Sequence, residues 1–164
     1  MLPLSADELH EVTAQVGFAV WQIQILEGTV VAYLVFVHKV TPTVARREAE
    51  SMFAKAGKST LGQLLRQILA TKEAPQHLID ALDSFVPERN WLIHHSRHES
   101  HADMYSSTRR AALIAKIAAI ADNALALMKA FQDATQAHLE TLGITREQIE
   151  RDTAKLLSEW TAGV

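Results

Sequence analysis

Residues 6–39 constrain this chain more than any other stretch. They contain no proline, and Val, Ile, Leu, Phe, Ala and Trp cover nearly every face of the helix they would form. Ser5-Ala6-Asp7-Glu8 reads as a capping box, in which the Ser hydroxyl takes an N-terminal amide and the Glu three residues on reaches back. The pattern predicts a helix to about Lys39. It should stop ahead of Thr41-Pro42, because the residue before a proline is pushed out of the helical region. Glu8, Gln15, Gln22 and Thr29 recur every seven residues as one polar stripe. A helix otherwise so apolar needs cover on several sides, from its own bundle and from a second subunit. Gln24 and Glu27 sit on another face, as polar groups in an apolar setting that require partners. For Glu27 the candidates are Arg89 and His94. A bilayer is the rival cover for residues 17–37. Glu27, flanked by Gln22 and Gln24, argues against it, since a carboxylate at mid-membrane costs about 3 kcal/mol. We therefore expect no membrane span.

The other segments point the same way. Helices are expected over 43–55 (ended by Gly57), 60–70, 75–85, 86–97, 108–142 and 146–160, the last opened by a second capping box, Thr145 to Gln148. Residues 99–107 are polar and read as a loop. Ala111, Ala112, Ala115, Ala118 and Ala119 would let a neighbouring helix approach closely. No segment alternates with period two between turn signals. The expected fold is all-α: an up-and-down helical bundle of about five to six helices, two of them long. With 164 residues and 48% apolar content it forms a single domain, 1–164. Gly57-Lys58-Ser59-Thr60 imitates the tail of a phosphate-binding loop. Met52 stands where that motif requires glycine and no strand precedes it, so it reads as an ordinary loop.

Charge and cysteine usage narrow the function classes. A net charge of −3 excludes a strongly basic surface, so any nucleic-acid contact must be local. There is no cysteine, hence no disulfide framework and no thiolate chemistry, and a cytoplasmic protein is expected. The first ten residues are polar and acidic rather than basic then apolar, unlike a secretory leader.

One stretch carries chemistry: Arg89-Asn90-Trp91-Leu92-Ile93-His94-His95. If Pro87 is the first residue of a helix, Arg89, Asn90 and His94 fall within its first two turns. Backbone N–H groups and the helix dipole favour a phosphate there. Asn90 and His94 are i,i+4 neighbours, while Arg89 lies about 140° from His94 at roughly 100° per residue. Transfer of a phosphate to a ribose 2′-OH needs a proton acceptor, cationic stabilisation of the phosphorane and a proton for the leaving oxygen. An imidazole titrates in the right range, and a guanidinium grips phosphate oxygens with its planar fork.

The stretch resembles the R-x(4–6)-H motif of the HEPN superfamily, whose common form is Arg-Asn-x-x-x-His, here Arg89-Asn90-Trp91-Leu92-Ile93-His94. The resemblance implies a small helical bundle, often dimeric. Many such domains are metal-independent ribonucleases of toxin–antitoxin or anti-phage systems. It implies Arg89, Asn90 and His94 as catalytic residues; Glu27, His95 and Arg97 are supporting candidates on the residue reading alone. It implies no metal and no other cofactor, RNA or nucleotide as ligand, and a second copy or an antitoxin protein as partner. The alternative within the family is a non-catalytic helical protein that binds nucleotide or a partner protein. Two positions depart from the pattern or blur it. Ser96 stands where many such toxins carry tyrosine, and His95 offers an R-x(5)-H spacing. His94 is preferred because it shares a helix face with Asn90.

Two other readings compete. Arg89 would make a structural salt bridge and His94 would be a satisfied interior histidine, with Trp91, Leu92 and Ile93 as core. Alternatively His94, His98 and His101, spaced i, i+4, i+7 with His95 and Asp103 nearby, would bind a metal. Arg97, Arg109 and Arg110 would form either a phosphate-attracting rim or a solvated face.

Overall fold

The computed structural model describes residues 4–39 and 46–162. The protein is an all-α helical bundle, and no strand occurs among the described residues. Its elements are α1 (Ala6–His38), α2 (Arg46–Ala56), α3 (Leu61–Thr71), α4 (Gln76–Asn90), a π-turn (Trp91–His95), α5 (Ser96–Glu99), a 3₁₀ turn (His101–Tyr105), α6 (Ser107–Thr141) and α7 (Arg146–Ala162). The expected start of α2 at residue 43 and the stop signal at Thr41-Pro42 lie outside the described residues.

The first capping box forms. Ser5 Oγ accepts from the Glu8 amide at 3.2 Å and Glu8 Oε2 accepts from the Ser5 amide at 2.9 Å. Arg110 of α6 pairs with the same carboxylate. The Ser5 backbone N–H, then its hydroxyl and Arg110, hold the Glu8 carboxyl below the usual carboxylate range. Thr60 with Gln63 and Thr145 with Gln148 make the same reciprocal pair of bonds at the starts of α3 and α7.

α1 and α6 lie side by side along most of their lengths and build the core. Ala19, Leu26 and Val30 of α1 are fully buried, as are Ile117, Ala124 and Phe131 of α6. Tyr33 packs edge-on against Phe131, with ring centroids 5.1 Å apart. Burial, helped by the charge of Glu73, pushes the Tyr33 phenol above its ordinary range. Ala19 of α1 and Ala121 and Ala124 of α6 are buried in the core. Of the alanines expected to allow close approach, Ala118 is half-buried and Ala111, Ala112, Ala115 and Ala119 are exposed. Leu113, Ile117, Ile120, Leu127 and Phe131 set the rotation of α6 and turn those alanines outward. Both long helices have the length and apolarity to cross a bilayer, but in the bundle they bury apolar residues against each other.

Gln24 is exposed, contrary to the expectation that it needs a partner. The outward face of α1 carries Phe18, Trp21, Ile25 and Phe36, which remain exposed. α7 meets the bundle at Ile149, while Leu157 and Trp160 are exposed.

The largest departure from expectation concerns the motif helix. No helix begins at Pro87. α4 runs through it from Gln76 to Asn90, so the proposed helix N-terminus and its anion site do not exist. A proline inside a helix loses one hydrogen bond and crowds the carbonyl four residues back, at about 3 kcal/mol. That carbonyl belongs to Asp83, and Asp83 and Pro87 are both exposed, so water can satisfy it. Leu78, Leu82, Phe85 and Leu92 keep helical spacing across the proline and are all buried. Burying each such side chain contributes about 1.5–3 kcal/mol, which outweighs the local loss.

Candidate functional site

The motif residues fall where α4 passes into the π-turn. At its end the Ser96 amide donates to the carbonyl of Trp91, five residues back rather than four. This changes which side chains meet. In an α-helix Arg89 and His94 would diverge by about 140°, whereas a stretch bonded i→i+5 lays residues five apart on one face. Arg89 NH1 accordingly lies 3.4 Å from His94 Nε2 and donates to Asn90 Oδ1, also at 3.4 Å. The structure thus gathers Arg89, Asn90 and His94 by a device that no helical wheel contains. A guanidinium can only donate, so a hydrogen bond between the two groups requires Nε2 to be the accepting nitrogen of the ring.

Glu27 approaches from α1. Its Oε1 accepts from Arg89 Nε at 3.1 Å and pairs with NH2 at 3.0 Å. The two side chains retain 17% exposure for Arg89 and 24% for Glu27, so this is a half-buried ion pair. It holds the Nε/NH2 edge of the guanidinium and leaves NH1 for Asn90 and His94. Asn90, His94 and His95 are exposed. His95 makes no contact with Arg89; its ring centroid is 6.3 Å from that of His94.

Neighbouring side chains clamp the π-turn on both sides. Leu92 is buried in the core. Trp91 Nε1 donates to Glu99 at 2.8 Å, and Lys116 of α6 sits over the Trp91 ring, 3.2 Å from its centroid. Ser96 donates its hydroxyl proton to the Leu92 carbonyl at 2.6 Å. Glu88 accepts from Asn123 at 3.1 Å and ties α4 to α6. Trp91, Glu99, Lys116 and Ser96 were not singled out from the sequence as supports. The helical spacing of Leu78, Leu82, Phe85 and Leu92 was the signal for a helix continuing through Pro87.

The other expected constellations do not assemble. Among the described residues no group of three His, Asp or Glu side chains is placed to hold a metal, so His94, His98 and His101 do not converge with Asp103. The π-turn and the 3₁₀ turn break the uniform α-helical phase on which that spacing relied. The basic rim is also absent. Arg110 is taken up by Glu8 and by the Met104 carbonyl, and Arg109 stands 3.8 Å from Asp103. Arg97 lines a separate cavity with Ser96 and Ser100 rather than joining Arg89. Residues 99–107, expected to be a loop, contain the end of α5 and the 3₁₀ turn. No family model, curated protein or solved structure matches the chain.

Proposed function

We propose that the protein is a HEPN-like, RNA-directed module acting as a metal-independent endoribonuclease of a toxin–antitoxin or anti-phage system, in the form of a cytoplasmic homodimer. One observation carries this reading: Arg89 NH1, Asn90 Oδ1 and His94 Nε2 converge at an exposed surface while Glu27 steadies the far edge of the guanidinium. In this reading substrate displaces the long Arg89–His94 contact, His94 Nε2 takes the proton of the ribose 2′-OH, and Arg89 NH1 stabilises charge on the phosphorane. A second imidazole then protonates the leaving 5′-oxygen. His95 is the nearest in the same chain.

The test is incubation of the purified protein with end-labelled RNA in EDTA. Cleavage should persist in the chelator and fall by about 10²-fold or more in His94→Ala. Cleavage abolished by EDTA, or equal in the variant, overturns the reading.

The dimer surface in this proposal is the outward face of α1. Phe18, Trp21 and Ile25 are 55%, 66% and 40% exposed and share one side of the helix, as the side chains of an interaction surface do. Ile25 and Glu27 diverge by about 160° round the helix, so pairing there leaves the motif open. Trp21→Glu should convert a dimer to a monomer in sedimentation velocity without lowering the helical signal. A wild-type monomer at tens of micromolar would reject this surface.

A second reading has its own support. Because Glu27 occupies the Nε/NH2 edge, Arg89 cannot offer that edge to a phosphate while the pair is intact. A non-catalytic HEPN-like protein that binds nucleotide or a partner protein would show Arg89-dependent binding and no cleavage.

A further inference from the structure

A cavity of about 430 Å³ opens between the first turns of α1, the segment 96–105 and α6. Its size falls within the range of about 300–1,000 Å³ typical of small-molecule sites. Leu9, Val12, Val16, Met104, Leu113 and Ile117 make an aliphatic wall. Arg97, His101 and Tyr105 stand among its polar lining, and among the described residues no carboxylate lines it, in a chain whose net charge is −3. Glu8, next to Leu9 of the wall, is paired with Arg110. Arg97 has no ion pair or hydrogen bond among the described residues. Two hydroxyl protons of the lining are engaged by backbone: Ser96 donates to Leu92, and Thr13 to Leu9 and His10. The aliphatic wall suits an alkyl chain, which needs no hydrogen-bond partner, while Arg97 and His101 offer donors to an anionic head group.

We propose that this cavity binds a single-chain aliphatic carboxylate, with the alkyl chain along the Leu9–Val16 and Leu113–Ile117 walls and the carboxylate at Arg97 and His101. The site is independent of the phosphate chemistry at Arg89 and His94, and its test does not depend on RNA cleavage.

Calorimetric titration of the full chain with octanoate, decanoate and dodecanoate, each below its micellar concentration, reads it directly. Binding should saturate at one ligand per chain and tighten about two- to fourfold for each added methylene. Arg97→Gln should weaken decanoate about tenfold and leave decan-1-ol unchanged, since only the former makes a charge-assisted contact. Val16→Phe fills the wall and should weaken both ligands at least tenfold. Thr13→Phe, at an exposed lip position, does the same from outside the core and covers the case in which Val16→Phe misfolds. Non-saturating uptake overturns the proposal. So does decanoate affinity equal in wild type, Arg97→Gln and Thr13→Phe.

Discussion

Arg89→Ala is expected to abolish RNA cleavage and also to lower the melting temperature, whereas His94→Ala abolishes cleavage alone. The difference follows from burial. Arg89 is 17% exposed and satisfies Glu27, itself 24% exposed, so removing it strands a half-buried carboxylate. Breaking a fully buried pair costs about 3–5 kcal/mol and an exposed one under about 1, which places this pair at roughly 1–3 kcal/mol. For a chain of this length that is a fall of about 3–10 °C. His94 is exposed and its contact with Arg89 is a long one at 3.4 Å, so its truncation should stay within about 0.5 kcal/mol. Arg89→Lys would keep the charge but lose the fork that serves Glu27 with one edge and Asn90 and His94 with the other. It should recover part of the stability and little activity. The decisive measurement pairs thermal melts with cleavage rates for the three variants and for Glu27→Gln. An Arg89→Ala protein that melts like wild type would mean that the Glu27 contact contributes nothing in solution. Its supporting role would then fall.

The largest stability effect belongs elsewhere. Phe131→Ala should destabilise the protein by about 3–5 kcal/mol, the range for truncating a buried aromatic side chain. Phe131 is 1% exposed and stacks edge-on against Tyr33, which is 2% exposed, across the seam between the two long helices. The loss combines apolar transfer, a cavity the rigid α1–α6 pair cannot close, and the aromatic contact. A fall of roughly 8–15 °C is expected. Trp160→Ala, at a side chain 72% exposed, provides the contrast and should change the melt by under about 0.5 kcal/mol. If the two variants melted alike, the core described between α1 and α6 would be wrong.

Much of the fold could be read from local chemistry. Ser5-Glu8 and Thr145-Gln148 announce helix starts because the partners of a capping box lie three residues apart, and both boxes form. The Glu27–Arg89 pair was also legible in part: a carboxylate on a largely apolar helix needs a cationic partner, and Arg89 was one of the two candidates, with His94. What failed were inferences from one residue against many. Pro87 is a strong local stop signal, yet Leu82, Phe85 and Leu92 bury enough apolar surface to carry the helix past it. The alanines of α6 are small enough for close packing, but the larger apolar residues choose which side faces inward. The convergence of Arg89 with His94 was hidden for another reason. Wheel arithmetic assumes one period, and the turn that joins these residues has a different one.

That change of period has a consequence for how such a pair can be inherited. An i→i+5 turn inside a helix is what one surplus residue produces when the helix ends on both sides are already anchored. Here the anchors are Phe85 before the turn and Trp91, Ser96 and Ser100 within and after it. A descendant lacking Ile93 could run an unbroken α-helix through the same anchors, with Arg89 and His94 four apart and again on one face. The number of letters between arginine and histidine is therefore free to drift by one. Selection would see only whether the two side chains still point the same way.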